Sequence, residues 1–228
     1  MKPSTVHGNP EALQRLYGDR FSGQTEYRNE VWKRLCNEYF NRWIPADSTV
    51  LDLGAGHCEF INNVRAAKKY ALDLNPDAAA AANDDVELML HDCTLEWPLP
   101  EDSVDVVFTS NFLEHLPDKD AVVEAFRQAH RVLKPGGRLI ALGPNARYVG
   151  GKYWDYFDHH VALTERSLGE ALVAGGFTVT SSIGRFLPYT MSGNRQRPPM
   201  MVSAYLRLPV AWKVLGQQFL VVAERTVG

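Results

Sequence analysis

An acidic side chain lies in or just after each of three successive apolar segments of the chain. Asp52 lies within VLDLGAGHCEF, Asp73 follows the segment KKYAL, and Asp92 follows VELML. Gly54 and Gly56 come directly after the first segment, where glycine permits a tight turn and a close approach of backbone to ligand. The carboxyl ends of parallel strands meet along one edge of a sheet, and ligands of open α/β folds bind there. We therefore expect the three carboxylates to share one ligand site.

The residue after the glycine turn discriminates between two classes of ligand. A dinucleotide fingerprint reads G-x-G-x-x-G and holds a pyrophosphate at a helix N-terminus. Glu59 stands at the third glycine position here, and its carboxylate would repel a pyrophosphate. S-adenosylmethionine (SAM) carries a sulfonium and an ammonium but no phosphate, so it suits Asp52 and Glu59 better. Taken alone, the motif also fits a purely structural turn.

At these residues the sequence resembles the class I SAM-dependent methyltransferases, whose first motif is an acidic residue followed by G-x-G. The resemblance covers residues 45–183 well and 218–224 moderately. Asp73 follows Gly56 at nearly the offset at which an acidic residue binds ribose hydroxyls, and the resemblance implies that Asp92 faces the adenine amino group. The expected cofactor-binding residues are Asp52, Gly54, Gly56, Asp73, Leu74, Asp92, Cys93 and Asn111.

The segment SNFLEHLPD follows the fourth predicted strand, where the resemblance implies that the methyl group is presented. Methyltransferases that act on base or amide nitrogens usually carry a polar-Pro-Pro-aromatic motif here, and this chain has Ser110, Asn111, Phe112 and Leu113 instead. The paired glutamates of arginine methyltransferases are also missing, because Glu114 stands alone. The segment is similar to that of small-molecule methyltransferases, including those of quinone and glycan pathways.

Aromatic and ionisable residues are concentrated in NARYVGGKYWDYFDHHVALTERS, after the fifth predicted strand. Loops at the carboxyl ends of strands line the ligand pocket, so we expect the methyl acceptor to bind here. His159 or His160 is the candidate general base, with Asp158 as an orienting partner. Each histidine could instead simply bind backbone. Tyr153, Trp154 and Tyr156 are expected to form the acceptor pocket or to pack in the core.

The end of the chain is basic although the whole chain carries a net charge of −3. From Arg185 onward it has six Lys or Arg residues against one carboxylate, Glu224. One interpretation is a cap packed on the sheet or on a second subunit of a homodimer. The other is that Arg195 and Arg197 bind an anionic or lipid-linked acceptor, because arginine pairs bidentately with phosphate. Peripheral contact with a membrane is a related expectation.

Apolar runs and turn residues predict a doubly wound α/β fold. The resemblance implies a mostly parallel seven-stranded sheet of the Rossmann-like methyltransferase type with an antiparallel last strand. The long segment before that strand predicts an inserted cap at about residues 184–217. The predicted domains are an N-terminal helical lid at residues 1–46 and a SAM-binding domain at 47–228. The predicted strands are 50–53, 68–77, 86–90, 103–118, 137–143, 177–183 and 218–224, and the main predicted helices are 26–44, 119–133 and one N-capped by Thr164.

Composition narrows the class of protein. Hydrophobic residues make up 45% and charged residues 22% of 228 residues, which is ordinary for a globular domain. The negative net charge argues against a dedicated nucleic-acid binder. The three cysteines are too scattered for a zinc site or a disulfide framework, so we expect no metal and a reducing, cytoplasmic location. The N-terminus lacks an apolar signal core, and no apolar run is long enough to span a membrane.

These features together predict an enzyme that transfers a methyl group from SAM to a small molecule and releases S-adenosylhomocysteine. The favoured acceptor is a hydroxyl of a sugar, a glycan or a natural-product intermediate. One alternative is carbon or nitrogen methylation of a quinone-like or amine metabolite. Another is a scaffold that binds SAM without turnover.

Overall fold

A seven-stranded sheet in the order β3-β2-β1-β4-β5-β7-β6 forms the centre of the molecule. The computed structural model describes residues 25–189 and 198–226. The first five strands are parallel, and β7 runs antiparallel to both β5 and β6. The chain thus has the expected Rossmann-like methyltransferase fold with an antiparallel last strand. The strands are β1 Thr49–Leu53, β2 Lys68–Asp73, β3 Val86–Leu90, β4 Val104–Ser110, β5 Leu133–Pro144, β6 Phe177–Ile183 and β7 Gln218–Arg225.

Helices pack on both faces of the sheet. They are α1 Thr25–Glu38, α2 Glu59–Asn63, α3 Ala78–Ala81, α4 Lys119–Val132, α5 Glu165–Ala174, α6 Met200–Leu206 and α7 Pro209–Leu215. Short 3-10 turns occupy Phe40–Arg42, Leu113–His115 and Gly151–Asp155. Helix α4 begins at an Asp118 cap that accepts the Ala121 amide, and α5 begins at the predicted Thr164 cap.

Several predicted boundaries were wrong. The helix predicted at 26–44 ends at Glu38, and a separate 3-10 turn follows it. The second and fourth strands are shorter than the segments predicted for them, and they end at Asp73 and Ser110, the positions expected at their carboxyl ends. The fifth strand begins earlier than predicted, at Leu133, and includes the Pro-Gly-Gly segment. These differences leave the acidic residues at the strand ends where the motif placed them.

Two apolar clusters lie on opposite faces of the sheet. On one face, α4 contributes Val122, Phe126 and Ala129, which recur at helical spacing and are fully buried. On the other face, an aromatic cluster joins α1 to the sheet, and its closest pair is Phe60 stacked on Phe108 at 3.6 Å between ring centroids. These layers fix α1 and α2 beside the carboxyl end of β1.

The insertion between β6 and β7 carries α6 and α7, which pack near α1. Leu206 is buried, and the Trp212 ring lies 5.0 Å from the Phe186 ring and 5.7 Å from that of Tyr39. The Trp212 indole donates a hydrogen bond of 2.8 Å to the Tyr205 carbonyl. The described part of the predicted cap is therefore anchored on its inner side. Its remaining residues, with Arg195 and Arg197 among them, lie outside the described residues.

Candidate functional site

The carboxylate of Asp73 holds the glycine turn after β1. Its Oδ2 accepts the Gly56 amide at 2.7 Å, and its Oδ1 accepts the Asn75 amide at 2.7 Å. A carboxylate oxygen has two lone-pair sites, so each oxygen can accept a further hydrogen bond. Burial raises the pKa of Asp73, and the hydrogen bonds from Asn75 and Gly56 act against that rise. Two oxygens with spare acceptor capacity suit a pair of neighbouring hydroxyls.

The two glycines of the turn serve different purposes. Gly54 has a φ of +70°, and a Cβ added there would lie 2.1 Å from Cγ of Phe112. Gly56 has a φ of +52°, but a Cβ added there would meet nothing within 4 Å. Gly54 is therefore required by packing inside the protein, whereas Gly56 borders open space. Both line the cavity described below.

Two buried carboxyl groups flank the glycine turn after β1. Asp52 and Glu59 are both buried, and Arg28 of α1 forms an ion pair with Glu59 at 2.8 Å. Burial raises the pKa of Asp52 well above its usual range, and the nearby carboxylates of Asp73 and Glu59 raise it further. A cationic group bound here would offset this desolvation and repulsion, so the site fits a sulfonium and ammonium ligand.

A cavity of about 450 Å³ opens at the carboxyl ends of β1, β2 and β4. Every residue predicted to bind the cofactor lines it: Asp52, Gly54, Gly56, Asp73, Leu74, Asp92, Cys93 and Asn111. The cavity also reaches the predicted acceptor segment, through Tyr153, Tyr156 and His159 among others. One cavity therefore joins the residues expected to bind the cofactor to those expected to bind the acceptor.

Three of these lining residues have distinct local roles. Oδ1 of Asp92 accepts hydrogen bonds from the backbone amide and the hydroxyl of Thr94, at 2.9 and 2.8 Å. These bonds fix the Asp92 side chain. Cys93 is buried, and burial raises the pKa of its thiol to about 12, so it supplies no thiolate near neutral pH. Asn111 has a left-handed φ of +49°, and its Oδ1 accepts from Gln218 Nε2 at 3.1 Å. Such a backbone is sparsely populated outside glycine and recurs at functional sites.

On the acceptor side, Glu114 is fully desolvated. Its Oε1 accepts the hydroxyl of Tyr153 at 2.6 Å, and both side chains are buried. Burial raises the pKa of Glu114, while the adjacent His115 and the Tyr153 hydrogen bond act against that rise. The Glu114 carbonyl also accepts the amides of His160 and Val161, at 2.7 and 3.1 Å. Glu114 thus joins the turn after β4 to the histidine-bearing loop.

His159 is oriented by a backbone carbonyl. Its Nδ1 lies 2.6 Å from the Tyr153 carbonyl oxygen, and its ring stacks on the Tyr153 ring at 4.2 Å. A carbonyl oxygen only accepts, so Nδ1 carries the proton and, in the neutral ring, Nε2 carries the lone pair. His159 lines the cavity and is partly buried. The tautomer inferred from this contact is the one that a general base acting through Nε2 needs.

Asp158, predicted as an orienting partner for the histidines, is paired with His115. The His115 Nδ1 lies 3.2 Å from Asp158 Oδ2 and 3.0 Å from the Asp158 carbonyl oxygen. Burial alone would lower the pKa of His115, but the Asp158 hydrogen bond and the charges of Glu114 and Asp158 raise it overall. Ligand atoms of His115, Asp158 and His159 lie within 4.8 Å of one another, so these three groups could also approach a metal ion.

The other residues predicted to bind the acceptor differ in whether they line the cavity. Tyr156 lines the cavity with its ring 5.3 Å from that of His159. His160 reaches the cavity as well, but its side chain is exposed. Trp154 is not among the residues that line the cavity, and its ring lies 5.2 Å from that of Tyr153 and 6.2 Å from that of His159. Tyr153 and Trp154 both belong to the 3-10 turn Gly151–Asp155, in which Tyr153 is the buried residue.

Sequence reasoning missed several lining residues. Arg28, His115, Tyr189 and Gln218 line the cavity without having been predicted to do so, and Glu114 was noted only for lacking a second glutamate. A histidine and a glutamate in one short turn after a strand end were a usable signal for Glu114 and His115. Arg28 and Gln218 come from distant parts of the chain, so only the fold brings them here.

Comparisons with known proteins agree with this geometry. Residues 51–141 match a family model described as a methyltransferase domain. The 27-O-demethylrifamycin SV methyltransferase of Amycolatopsis mediterranei is 35% identical over 111 residues, 44% of this chain and 39% of that protein. A probable SAM-dependent methyltransferase of Mycolicibacterium smegmatis is 29% identical over 162 residues, 68% of this chain and 60% of that protein. The chain thus spans less than two thirds of either relative.

A solved structure shows the same fold. A SAM-dependent methyltransferase from Archaeoglobus fulgidus superposes with a TM-score of 0.62 at 17% identity, covering 92% of this chain and 99% of that one. At this identity the likeness concerns the fold alone.

Proposed function

Starting from the methyltransferase domain at residues 51–141, we propose that the protein methylates a hydroxyl group of a sugar, glycan or natural-product intermediate. S-adenosylmethionine is the cofactor of this domain, and S-adenosylhomocysteine is its product. The observation that carries the proposal is the single cavity, which joins the acidic strand ends to the loop bearing His159. The Amycolatopsis mediterranei relative is named as a methyltransferase of 27-O-demethylrifamycin SV, which supports an oxygen acceptor.

We propose that the cofactor half of the cavity recognises hydroxyls and positive charge. Asp73 accepts hydroxyls through oxygens whose positions are fixed by the Gly56 and Asn75 amides. Asp52 is buried near the glycine turn with a raised pKa, and a cation bound beside it would favour its charged form. Gly56 leaves space at the turn for close approach of the ligand. When bound, SAM supplies an electrophilic methyl group on its sulfonium.

In the acceptor half, His159 removes the proton of the acceptor hydroxyl. The proton goes to Nε2, while Nδ1–H stays bonded to the Tyr153 carbonyl. The oxygen lone pair forms the new bond to the methyl carbon as the bond from that carbon to sulfur breaks. The buried Glu114–Tyr153 pair keeps the wall behind His159 in place. Positioning and exclusion of water contribute several kcal/mol to such transfers, and a placed base about 10²–10⁴-fold.

Two further features extend the proposal. All three cysteines are free thiols, which supports a cytoplasmic site of action. We also propose that Arg195 and Arg197, which lie outside the described residues, bind an anionic group of the acceptor. A phosphorylated or lipid-linked sugar would provide one.

The proposal is tested by coupling SAM binding to product release. Calorimetry should show that SAM binds and that NAD does not. Panels of hydroxyl, amine and quinone-like acceptors are then assayed for S-adenosylhomocysteine. Release with a hydroxyl acceptor supports the proposal, and release only with amines or quinones replaces it with nitrogen or carbon methylation. SAM binding with no release from any panel would favour a scaffold.

A further inference from the structure

The outer sides of α6 and α7 expose a concentration of large apolar side chains. Among residues 25–189 and 198–226, eleven large apolar side chains are exposed, and six of them lie between positions 200 and 215. They are Met200, Met201, Leu208, Val210, Val214 and Leu215, here called the outer apolar surface. Single exposed apolar residues are normal, but a concentration of this kind marks an interaction surface.

This exposure is not the result of a loosely attached segment. Leu206 and Trp212 bind the two helices to the molecule from the inside. Ser203 adds polar contacts, because its hydroxyl donates to Glu38 Oε1 at 2.5 Å and accepts from Arg34 Nη1 at 2.9 Å. These contacts fix the inner sides of both helices against the protein. The outer apolar surface therefore faces away from the core.

The charges beside the outer apolar surface favour an anionic binding partner. Residues 198–216 contain two cations, Arg207 and Lys213, and no carboxylate. On α7, Val210, Lys213 and Val214 share one helix face through their i, i+3 and i+4 spacing. Arg207 is 79% exposed, although it lies 3.6 Å from Glu38. A symmetric contact with a second copy would bring these cations together, whereas an anionic surface would complement them.

We propose that the outer apolar surface docks the protein onto an anionic phospholipid bilayer. Amphipathic helices that combine an apolar face with lysine and arginine lie in the membrane interface, and their apolar face enters the boundary between headgroups and acyl chains. Lysine and arginine place their charges at the headgroup level while apolar neighbours enter the acyl region. None of the helices within residues 25–189 and 198–226 could span a bilayer. The proposal is independent of the proposed methyl transfer.

Vesicle flotation tests the docking directly. The full chain is mixed with vesicles of phosphatidylcholine alone and with vesicles containing about one third phosphatidylglycerol. The parent protein should float with the anionic vesicles, float much less with the neutral ones, and lose binding as salt is raised. Failure of the parent protein to bind anionic vesicles at low salt overturns the proposal without any variant.

Matched variants locate the surface. Val210→Ser with Val214→Ser should weaken binding to anionic vesicles by at least about tenfold. Val173→Ser should not, although Val173 is 62% exposed on α5 and Val214 is 68% exposed on α7. Lys213→Gln should weaken binding about fivefold, with Lys119→Gln as its control. Calorimetry with SAM verifies that each variant is folded.

Two further results would overturn the proposal. Equal loss of binding in the Val173→Ser control would show that the vesicle contact is unspecific. The second is a dimer seen by light scattering that the double serine variant abolishes, together with no vesicle binding by the parent. That outcome would assign the outer apolar surface to a second copy of the chain.

Discussion

The Tyr153 hydroxyl donates a hydrogen bond of 2.6 Å to Oε1 of Glu114, and both side chains are buried. The bond joins the turn after β4 to the loop that carries His159. It places a carboxyl group in a desolvated position, and burial raises the pKa of Glu114.

We expect Glu114→Gln to stabilise the protein above acidic pH. Because the folded-state pKa of Glu114 is raised, the folded state binds more protons than the unfolded state between the ordinary value of 4.5 and the folded pKa. Stability is therefore lost as pH rises through that window, by up to about 1.4 kcal/mol per pH unit. Glutamine keeps an oxygen for the Tyr153 hydroxyl and removes this loss.

Thermal unfolding at pH 5 and pH 8 checks this sign. The advantage of Glu114→Gln over the parent should grow from the lower to the higher pH. Glu124→Gln is the control, because a hydrogen bond from Gln128 lowers the pKa of the partly exposed Glu124. Its replacement should cost a little stability, and mainly at the higher pH. A parent protein that is more stable than Glu114→Gln at pH 8 would contradict the desolvation argument.

His159 and His160 should differ in their effect on turnover. His159→Gln should lower kcat by about 10²–10⁴-fold, because the ring held by the Tyr153 carbonyl is the proposed base. His160→Gln should change kcat little, because its side chain is exposed. SAM affinity should stay near the parent value in both. The pH–rate limb in the histidine range should vanish only in His159→Gln, and a limb that persists there would place the base elsewhere.

The two glycines of the turn allow a comparison of stability with binding. Gly54→Ala should destabilise the fold by about 2 kcal/mol or more, because its Cβ would meet the Phe112 ring in addition to the strain of a positive φ. Gly56→Ala has only the backbone strain of about 1–2 kcal/mol. Its main effect should be on SAM affinity, measured by calorimetry. Equal loss of stability in both variants would contradict the assignment of Gly56 to the ligand side.

Metal removal is expected to have no effect on turnover. Within the His115–Asp158–His159 group, His115 Nδ1 lies 3.2 Å from Asp158 Oδ2 and is thus already engaged by that carboxylate. His159 Nδ1 is already bonded to a carbonyl. Exhaustive dialysis against a chelator should therefore leave kcat and SAM affinity unchanged. Loss of turnover that Zn²⁺ or Mn²⁺ restores would turn this group into a metal site.

The ribose assignment is tested at the strand end. Asp73→Ala removes two charged acceptors and releases the Gly56 amide, so SAM affinity should fall by about 1.5–3 kcal/mol, roughly 10- to 150-fold. Asp84→Ala is the matched control, since Asp84 is an exposed carboxylate shortly after α3. Calorimetry that gives parent-like SAM affinity for Asp73→Ala would remove Asp73 from the cofactor site.

The position along the cavity of the residues predicted to bind the cofactor could be read from the sequence because it depends on local sequence. Asp52, Gly54 and Asp73 belong to strand ends and turns, whose patterns are short and whose positions follow from the parallel sheet. The acceptor half was predicted as a segment but not as a geometry. The pairing of Asp158 with His115 depends on how two loops meet, and no periodicity encodes that contact.

Long-range partners explain the remaining differences. Arg28 reaches Glu59 because α1 packs over α2, and neither residue's sequence neighbourhood indicates the pair. Trp154 and Tyr153 are adjacent and both aromatic, so composition alone assigned them the same role. The 3-10 turn that separates them is a tertiary outcome.

The most direct test of the proposed function follows the methyl carbon itself. The parent protein and His159→Gln are incubated with carbon-13 methyl-labelled SAM and fractions of sugar, lipid-linked sugar and natural-product acceptors, and products are examined by NMR. We expect a labelled methyl group on oxygen, formed together with S-adenosylhomocysteine by the parent protein and strongly reduced in the variant. Label on nitrogen or carbon, or SAM bound without any labelled product, would contradict a hydroxyl methyltransferase.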